Sequence, residues 1–581
     1  MIAGLASLLL PLTMLILNQI YLPVVTSEMG CQYWIAPPPL GDNANPGTAV
    51  APWASLRHAA DEAADDHCTI WVADGVYDGK NSIKRRFETE TTFAAIHPYR
   101  AVLQHTGSPL VIRGGRNMVF EGFEFRHAGA DPDKNIVQVY HDDDIRSEYI
   151  TFRNNIFHDS LNDDLLKIYV GSGYITVEEN IFYNRGPNEQ HMDVNSVHDV
   201  VIKNNIFFND YAGSGRSVPA DGKHFIVIKD SNGPEDGLTG SRRVTVSGNI
   251  FMSWQGGLES FIKVGNDGKP YYEAQDIMIE NNLLLGNGSD PVDASFGVRG
   301  ARNVTFRNNT VAGDLPSNAY AMRLSIAGEN PVNENILFYN NIWSDPTGTM
   351  GASGPEDDND FSNGDPAESR AVVLENNLYW NGGQEIPGGD VLDPLRDDRH
   401  YMSGDPALQT GQQDILLPRW DGQGFASGSD TIRQEFERLV NDYGSLAGSS
   451  AAIDRADPAL APAEDILGRP RDAAPDLGAF EYEVDLAGLA GLTDLWLFWS
   501  DASGSRADAL RLDLYGPEHQ RVVENLPVTA RSYTFAGIQP YQFYVATLTL
   551  LDDQGQIIHR TAPLILRADS PSETAAPADP S

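Results

Sequence analysis

The feature that most constrains the fold of this chain is a short phrase that recurs along it and closes on asparagine. At 150–156 and at 175–181 the phrase reads apolar, any residue, apolar, two polar residues, Asn and Ile. Successive copies are 25 residues apart at first and up to 44 apart later, and they carry Asn155, Asn180, Asn205, Asn249, Asn282, Asn309, Asn341 and Asn377. The alternation of apolar residues predicts a strand with one buried face. A fixed strand with variable spacing indicates one repeated supersecondary unit whose insertions lie in loops.

The repeated asparagine predicts how these units stack. Identical amide side chains that lie strand over strand can form ladders, and Asn tolerates the left-handed conformation that a sharp turn between strands needs. A coil of 25 residues has room for about three short strands of ~5 residues each. The sequence therefore predicts an all-β chain, a parallel β-helix with an Asn ladder and coils ~4.8 Å apart. Unrelated strands in a mixed sandwich are the alternative, which eight in-register copies disfavour.

The segments that flank the repeats carry a resemblance. The motifs at 33–36, 52–56 and 70–77, and later those at 465–471 and 475–481, resemble the opening and closing segments of secreted right-handed parallel β-helix proteins of the pectate-lyase-like superfamily. The resemblance implies a right-handed β-helix over 31–482, with a first helix at 56–64 that Ser55 can cap. Because this superfamily holds lyases, hydrolases, epimerases and non-catalytic adhesins, the resemblance specifies fold better than activity.

Length and charge limit the classes of partner. A chain of 581 residues is expected to form more than one domain. Its formal net charge of −40 argues against nucleic acid and anionic lipid surfaces as partners. Acidic side chains offer oxygen ligands to Ca²⁺, although we interpret the acidic stretch at 356–360 as a solvated insertion loop. We expect a monomer.

The N-terminus and the two cysteines indicate an extracellular location. Residues 2–25 are largely apolar and uncharged, which favours a secretory signal within 1–30, with an uncleaved anchor as the alternative. No other run is apolar enough to predict a membrane span. Cys31 and Cys68 each precede one of the two predicted opening strands, so a disulfide is expected in an oxidising compartment; the alternative is a lipidated Cys31. These features predict a secreted or cell-surface protein.

A second domain is predicted after residue 482, because the Asn phrase is absent there and the apolar pattern changes. Strand patterns occur at 495–499, 509–515, 533–535 and 543–550. Trp499 followed by the 537–545 segment resembles a fibronectin type III module, which implies a small β-sandwich over 483–568. The remaining 569–581 is rich in Pro, Ala and Ser and is predicted to be disordered.

The strand preceding each Asn strand suggests where chemistry could occur. Several of these strands place one ionisable residue between two apolar residues, so the ionisable residue should face outwards. Stacked coils should bring these residues into one column, which would contain Lys167, Asp193, Lys229, Lys263, Arg299 and Arg323. A largely basic column on so acidic a chain suits a polyanionic glycan.

The resemblance to β-helical pectate, alginate and chondroitin lyases gives these residues roles, although the full motif of no single family is matched. In such lyases a Lys or Arg removes the proton next to a uronate carboxylate, which Ca²⁺ or Arg neutralises. On this interpretation Lys229 or Lys263 is the base. The predicted substrate-binding residues are Lys167, Arg299, Arg323 and His191, and the predicted Ca²⁺ ligands are Asp163, Asp164, Asp193 and Asp230.

Two other functions stay open at this point. Outward Lys and Arg that pair with Asp on the next coil can simply protect a sheet surface, which would fit a non-catalytic extracellular glycan-binding protein. Paired carboxylates such as Asp163 and Asp193 would fit a glycoside hydrolase. The polysaccharide lyase is the function that we expect, with an anionic polysaccharide as its partner.

Overall fold

The computed structural model describes residues 30–129, 134–351, 360–408, 414–502, 505–517 and 520–568. The predicted signal or anchor over the first 29 residues, the predicted tail at 569–581 and most of the acidic stretch at 356–360 lie outside the described residues. Within those ranges, helices are few and short, and most of the chain forms strands.

Three long parallel sheets run the length of the first part of the chain, and each coil adds one strand to each sheet. The strands of sheet 1 are Gln32–Ile35, Thr69–Val72, Arg86–Ala95, Arg116–Glu121, Glu148–Arg153, Gly173–Glu178, His198–Lys203, Ser241–Ser247, Ala274–Glu280, Ala301–Arg307, Asn333–Tyr339 and Ser369–Glu375. The strands of sheet 2 are Gly75–Asp78, Ala101–His105, Phe123–His127, Ile156–His158, Ile181–Tyr183, Ile206–Phe208, Ile250–Phe251, Leu283–Gly286, Thr310–Gly313, Ile342–Asp345, Leu378–Asn381 and Met402–Ser403. The strands of sheet 3 are Asn81–Ile83, Leu110–Arg113, Val137–Tyr140, Leu166–Tyr169, Met192–Asn195, Ile226–Lys229, Ile262–Val264, Val292–Arg299, Ser317–Ser325 and Ser362–Asn363. This architecture confirms the predicted right-handed parallel β-helix.

The repeated asparagine lies in the turn between sheet 1 and sheet 2 and forms the predicted ladder. The backbone N–H and the Nδ2 of Asn155 both donate to Oδ1 of Asn180, at 2.9 and 3.0 Å. Nδ2 of Asn155 also donates to the carbonyl of Phe120 one coil back, at 2.9 Å. The left-handed conformation belongs to the residue before the ladder, such as Glu179 with φ 54°. The ladder residue therefore satisfies buried backbone groups, and its neighbour makes the turn.

The interior of the β-helix is filled by the inward residues of all three sheets. Aromatic rings stack from coil to coil, with Phe157 on Phe182 at 4.6 Å and Phe182 on Phe207 at 4.9 Å between ring centroids. These rings are fully buried. Because identical apolar positions lie over one another in every coil, the core is continuous along the axis.

The first coil is closed by a short helix and a disulfide. The helix spans Leu56–Glu62, and the Ser55 side chain accepts a hydrogen bond from the backbone N–H of His58 at 3.3 Å, as predicted. Cys31 is bonded to Cys68, with their Cα atoms 4.5 Å apart. The bond joins the starts of the first two strands of sheet 1.

The chain after Ser403 turns back and covers the outer face of sheet 2. A helix at Ile432–Leu439 packs its buried side chains on the outward isoleucines and leucines of that sheet, among them Ile181 and Ile206. The other short helical elements are Pro394–Asp397, Gly233–Asp236, Pro366–Glu368 and Val440–Gly444. From the strand Ile156–His158 onwards, most of sheet 2 is thus buried on both faces, which leaves the outer faces of sheets 1 and 3 for other contacts.

Antiparallel strands form the last part of the described chain. One sheet contains Leu486–Ala490, Asp494–Trp499 and Ser532–Ala536, and the other contains Ala509–Tyr515, Gln520–Leu526, Phe543–Leu551, Ile557–Arg560 and Leu564–Arg567. The His559 ring contacts the Asp472 carboxylate at 3.1 Å, which ties this unit to the segment that covers sheet 2. No helix among the described residues is long and apolar enough to cross a membrane.

Candidate active site

The outer face of sheet 3 carries two columns of side chains. The register places Lys167 opposite Asp193, Asp193 opposite Val227 and Val227 opposite Lys263. The same column continues through Gly297 to Arg323. The predicted single column was therefore wrong in part. Lys229 and Arg299 stand two residues further along their strands, opposite Asn195 and Ser325, and form part of the second column.

At the N-terminal side of this face, Lys167 lies among carboxylates. Its Nζ is 2.6 Å from Oδ2 of Asp193 and 3.7 Å from Oδ2 of Asp164. Burial opposes the charged form of this lysine, but the carboxylates of Asp193 and Asp164 raise its pKa overall. Burial and the Asp193 charge raise the pKa of Asp164 well above its usual range, and burial also raises that of Glu189. Lys167 is thus held as a cation chiefly by its contact with the buried Asp193 carboxylate.

Lys229 is also paired. Its Nζ is 3.2 Å from Oδ1 of Asp267, and Oδ2 of the same carboxylate accepts a hydrogen bond from the Ser231 hydroxyl. Burial opposes the charged form, but the carboxylates of Asp193 and Asp267 raise the pKa of Lys229. An amine that is held protonated in this way is a poor general base.

Lys263 has a different environment. Its side chain is 0% exposed, and its Nζ has no hydrogen-bond partner among the described residues. Burial and the nearby Arg299 guanidinium lower the pKa of Lys263 to about 8. Its side chain extends over Gly297, where a Cβ would lie 2.5 Å from Cδ and 3.0 Å from Nζ of the lysine. The geometry therefore distinguishes the two lysines that the sequence left as equal candidates.

Two arginines and a carboxylate lie beside Lys263. Arg323 Nη1 donates to Oδ1 of Asp293 at 2.6 Å. Arg299 is half-buried, and its Nε is 3.5 Å from the Ser325 hydroxyl; no ion pair to its guanidinium occurs within the described ranges. Arg299 is thus the guanidinium on this face that has the most freedom to bind an added carboxylate.

The loops that lead into sheet 3 form one wall of the site. Lys223 Nζ donates to Oε1 of Glu259 at 3.0 Å, and His224 Nε2 is 3.4 Å from Oε2 of the same carboxylate. Burial lowers the pKa of His224 to about 4, which keeps this ring neutral near pH 7. No sequence pattern indicates that Lys223 or Glu259 would join the site, because both lie in insertions between strands.

The buried Arg185 holds this wall together. Its guanidinium donates from Nη1 to Oδ1 of Asn209 at 3.1 Å and from Nη2 to the carbonyl of Gln255 at 2.9 Å. It also lies 5.0 Å from the Trp254 ring. One side chain thus adds to the hydrogen bonds that join these two loops, such as that from the Ser253 hydroxyl to the carbonyl of Asn209 at 2.9 Å.

The predicted position of His191 at the substrate surface was wrong. Its ring is 4.8 Å from the Phe225 ring, and its Nε2 lies 3.0 Å from the carbonyl oxygen of Phe208. Burial, followed by the charge of Arg185, lowers its pKa well below the usual range. His191 directly precedes a strand, where the alternation of inward and outward residues does not yet apply, so it turns into the core.

The residues predicted to bind Ca²⁺ do not form an open set of oxygen ligands. Both carboxylate oxygens of Asp230 accept backbone N–H groups, from Gly233 at 2.8 Å and from Gly240 at 2.6 Å. Asp164 and Asp193 face the Lys167 ammonium, as described above. Asp163 accepts a hydrogen bond from Gly186 through its backbone carbonyl. In the described part of the chain, no three His, Cys, Asp or Glu side chains converge as a metal site.

An aromatic pair that the sequence interpretation missed lies at the N-terminal end of the same face. The rings of Tyr140 and Tyr169 stack at 5.1 Å, and the Tyr169 hydroxyl donates to Oε1 of Gln138 at 3.0 Å. Both tyrosines are half-buried. Their positions just past the apolar residues of two successive sheet-3 strands were the signal that could have revealed them.

Clefts also occur elsewhere on the molecule. One of about 460 Å³ is lined by Glu121, Arg153, Glu178 and Arg433, and another of about 290 Å³ by Tyr99, Glu124 and Arg126. Their charged side chains already pair with one another, as in the 2.7 Å contact of Arg153 with Glu121. The amine of Lys263, which has no hydrogen-bond partner among the described residues, makes the face of sheet 3 the stronger candidate.

No family model matches this chain, and no curated protein matches it. Among solved structures it is similar to the A-module of a mannuronan C-5 epimerase from Azotobacter vinelandii, at 13% identity over 58% of this chain and 91% of that chain, with a TM-score of 0.36. It is also similar to a PL6 family polysaccharide lyase from Pseudopedobacter saltans, at 13% identity over 64% and 97%, with a TM-score of 0.33. The FN5 domain of Drosophila Lar matches at 12% identity over 15% and 94%, with a TM-score of 0.13. Similarity at this level assigns no activity to this chain.

Proposed function

We propose that the protein is an extracellular polysaccharide lyase that cleaves a uronate-containing glycan by β-elimination, with Lys263 as the general base. The observation that carries this proposal is the buried amine of Lys263, which has no hydrogen-bond partner among the described residues and a pKa lowered to about 8. An amine with this pKa is partly unprotonated near neutral pH, which a base requires. Burial of an amine without a partner is costly, which supports a functional role for this group.

The chemistry follows from the groups around Lys263. The uronate carboxylate binds Arg299, which lowers the pKa of the C5 proton by stabilising the negative charge that develops on the carboxylate. Lys263 takes the C5 proton, the electron pair forms the C4–C5 double bond, and the C4–O4 bond breaks. The departing oxygen takes a proton from solvent, and Lys263 returns its proton to solvent. The products are a chain with a new reducing end and a chain that begins with an unsaturated uronate.

Substrate must displace the groups that now cover Lys263. The charged side chains that most affect the pKa of Lys263 are those of Arg299, Asp293 and Glu259. Arg299 and Glu259 are only partly buried. A carboxylate that binds Arg299 would draw the guanidinium away from the amine. That movement would open access to Nζ when the substrate arrives.

The test uses two lysines on the same face of the same sheet. We would replace Lys263 by Met, and separately Lys229 by Met as the matched control, and follow the ultraviolet absorbance of the unsaturated product on a panel of uronate polymers. Loss of the base should lower kcat by about 10²–10⁴-fold, and K229M should retain most of the activity. Parallel assays with added calcium and with a chelator test the predicted Ca²⁺ requirement. Equal loss in both variants would contradict the assignment of Lys263.

A second candidate function rests on a separate observation. Three of the cations on this face are already neutralised, since Lys167, Lys229 and Arg323 each contact a carboxylate within 3.2 Å. A surface neutralised in this way fits a glycan-binding protein without catalysis. Binding of a polymer on an affinity gel with no product on any polymer would favour that function and exclude the lyase.

A further inference from the structure

The antiparallel unit at 486–567 docks on the segment that covers sheet 2, and titratable side chains join the two. The buried carboxylate of Asp454, in the covering segment, accepts the backbone N–H of Arg506 at 2.6 Å. Nδ1 of the His559 ring lies 3.1 Å from Oδ2 of Asp472, which also belongs to the covering segment. Two ionisable groups therefore bridge the junction between the units.

The two units meet closely without sharing an apolar core. Among the described residues, their buried hydrophobic side chains form separate clusters, and Tyr482 packs against both. The Tyr482 hydroxyl donates to the carbonyl of Asp501 at 2.6 Å. Gly448 lies against the same residue, since a Cβ at this position would be 2.3 Å from the Asp501 carbonyl oxygen. Because polar groups make these contacts, the strength of docking should depend on their protonation.

Asp454 is a carboxylate buried in largely acidic surroundings. It is 5% exposed, and its backbone N–H donates to Oδ1 of Asp476 at 2.7 Å. Burial raises the pKa of Asp454 to about 6, and the Asp472 charge adds to this against the lowering effect of the Arg506 N–H. The charged or titratable groups that face its carboxylate are those of Arg455, Asp472, Asp476, Arg506 and His559. The docked arrangement thus favours the protonated form of Asp454.

His559 responds to pH in the same direction. Its hydrogen bond to Asp472 raises the pKa of the ring above the usual value, and the nearby Glu483 and Asp454 charges add to this, whereas burial lowers it. The docked arrangement therefore favours the protonated form of this group too. A group whose pKa is higher in the docked form takes up a proton on docking, so docking weakens as pH rises.

We propose that the junction is a pH-dependent hinge, which holds the antiparallel unit on the covering segment in acidic surroundings and releases it towards alkaline pH. The inference is independent of the proposed lyase activity, because none of these residues lies on sheet 3. Undocking returns Asp454 to solvent, where the pKa of an aspartate is ~3.9, and separates His559 from Asp472. The docking constant should therefore fall between about pH 4 and pH 6 as Asp454 ionises, and again as the His559 ring loses its proton.

Hydrogen exchange measures docking directly, because Asp454 holds the backbone N–H of Arg506 across the junction. We would follow deuterium uptake by mass spectrometry in the peptide that contains Arg506, using the intact chain at pH 5 and pH 8 and correcting for the intrinsic exchange rate. Protection should be about tenfold greater at pH 5 from the titration of Asp454 alone. Equal protection at the two pH values would overturn the hinge.

D454N separates the titration from the hydrogen bond. Asparagine keeps an oxygen that accepts the Arg506 N–H but carries no charge to bury. Protection should therefore exceed that of the wild type by about 100-fold at pH 8 and by about tenfold at pH 5. D553N, in an exposed turn of the same unit, is the matched control and should equal the wild type at both pH values. No gain in D454N at pH 8 would contradict the role of Asp454.

Two further variants keep the test decisive. H559Q should lower protection at pH 5 with a much smaller loss at pH 8, where the wild-type ring has largely lost its proton; an equal loss at both would refute the role of its charge. G448A should lower protection at both pH values, because its Cβ would meet Asp501, and it gives the signal of the released unit. Full protection in G448A would show that this contact does not hold the units together and would overturn the hinge.

Discussion

Replacement of Asn180 by alanine should remove four hydrogen bonds from the middle of the ladder. Nδ2 of Asn180 donates to the carbonyl of Phe152 at 2.9 Å and to Oδ1 of Asn205 at 3.0 Å. Its Oδ1 accepts from the backbone N–H of Asn155 at 2.9 Å and from Nδ2 of the same residue at 3.0 Å. All of these groups are buried, so water cannot replace the missing amide without entering the turn.

The magnitude follows from those contacts. Each hydrogen bond contributes about 1 kcal/mol net, so four give about 4 kcal/mol of lost unfolding free energy. The backbone N–H of Asn155 and the carbonyl of Phe152 would remain buried without partners, which makes this a lower bound. Such a loss is a large fraction of the stability of a typical domain.

Equilibrium unfolding in guanidinium, followed by the far-ultraviolet circular dichroism of the β-helix, measures this loss. The matched control is N441A, an exposed asparagine in the helical turn Val440–Gly444, which should change stability by less than about 0.5 kcal/mol. If N180A cannot be purified in folded form, N180S retains one hydrogen-bonding oxygen and should lose about half as much. A loss below about 1 kcal/mol in N180A would refute the argument that the ladder satisfies essential backbone groups.

Two further predictions concern the site, and a third concerns the pH dependence of stability at His158 in sheet 2. Because burial and Arg299 lower the pKa of Lys263 to about 8, kcat/KM should rise with pH and level off above about 8; a profile that is flat from pH 6 to 9 would exclude this base. G297A should lower kcat by about 100-fold and stability by about 1–3 kcal/mol, since its Cβ would lie 2.5 Å from Lys263 Cδ and 2.7 Å from the Ser260 Oγ; an unchanged kcat would show that the lysine has another position. Burial opposes the charged form of His158, but its hydrogen bonds to the Asp159 and Glu124 carboxylates raise its pKa. The stability that His158 adds should be full below its usual pKa of ~6.5 and should disappear as pH rises through the raised pKa. H158Q should therefore lose most stability, relative to the wild type, near pH 5 in thermal melts. A loss of stability that grows with pH would contradict this.

The fold could be predicted because one phrase recurs with its polar residue in the same place. Each ladder Asn follows a strand of alternating residues, so the register of sheet 1 and the turn to sheet 2 were readable from the sequence. The sequence interpretation gave the left-handed conformation to the ladder asparagine, which is one position too late. Glu179 and the equivalent residues before each ladder asparagine take that conformation. No local pattern distinguishes the two places, because Asn suits both.

The register of sheet 3 could not be predicted with the same success. The loops between the ladder and sheet 3 vary in length, so nothing in the sequence fixes which outward residue follows Asp193. Ile226 pairs with Met192, which puts Val227 in the column and moves Lys229 to the next one. The side-chain pattern alone allowed either alignment.

The difference between the two candidate lysines depended on residues remote in sequence. Lys229 is protonated by its contact with Asp267, which is 38 residues away. Among the residues that the structure describes, no carboxylate forms an ion pair with Lys263, and Gly297 lies opposite it in the next coil. These partners come from loops and neighbouring coils, so only the three-dimensional structure distinguishes an ion-paired lysine from an unpaired one.

The mass of the oligosaccharides released from chondroitin by the wild-type protein tests the central claim most directly. Elimination predicts products whose new non-reducing end is lighter by one water than the product of hydrolysis, and K263M should release none at a comparable rate. Products that carry the added water would contradict the lyase and favour a hydrolase. An absence of products from chondroitin and from every other uronate polymer would contradict catalysis at this face altogether.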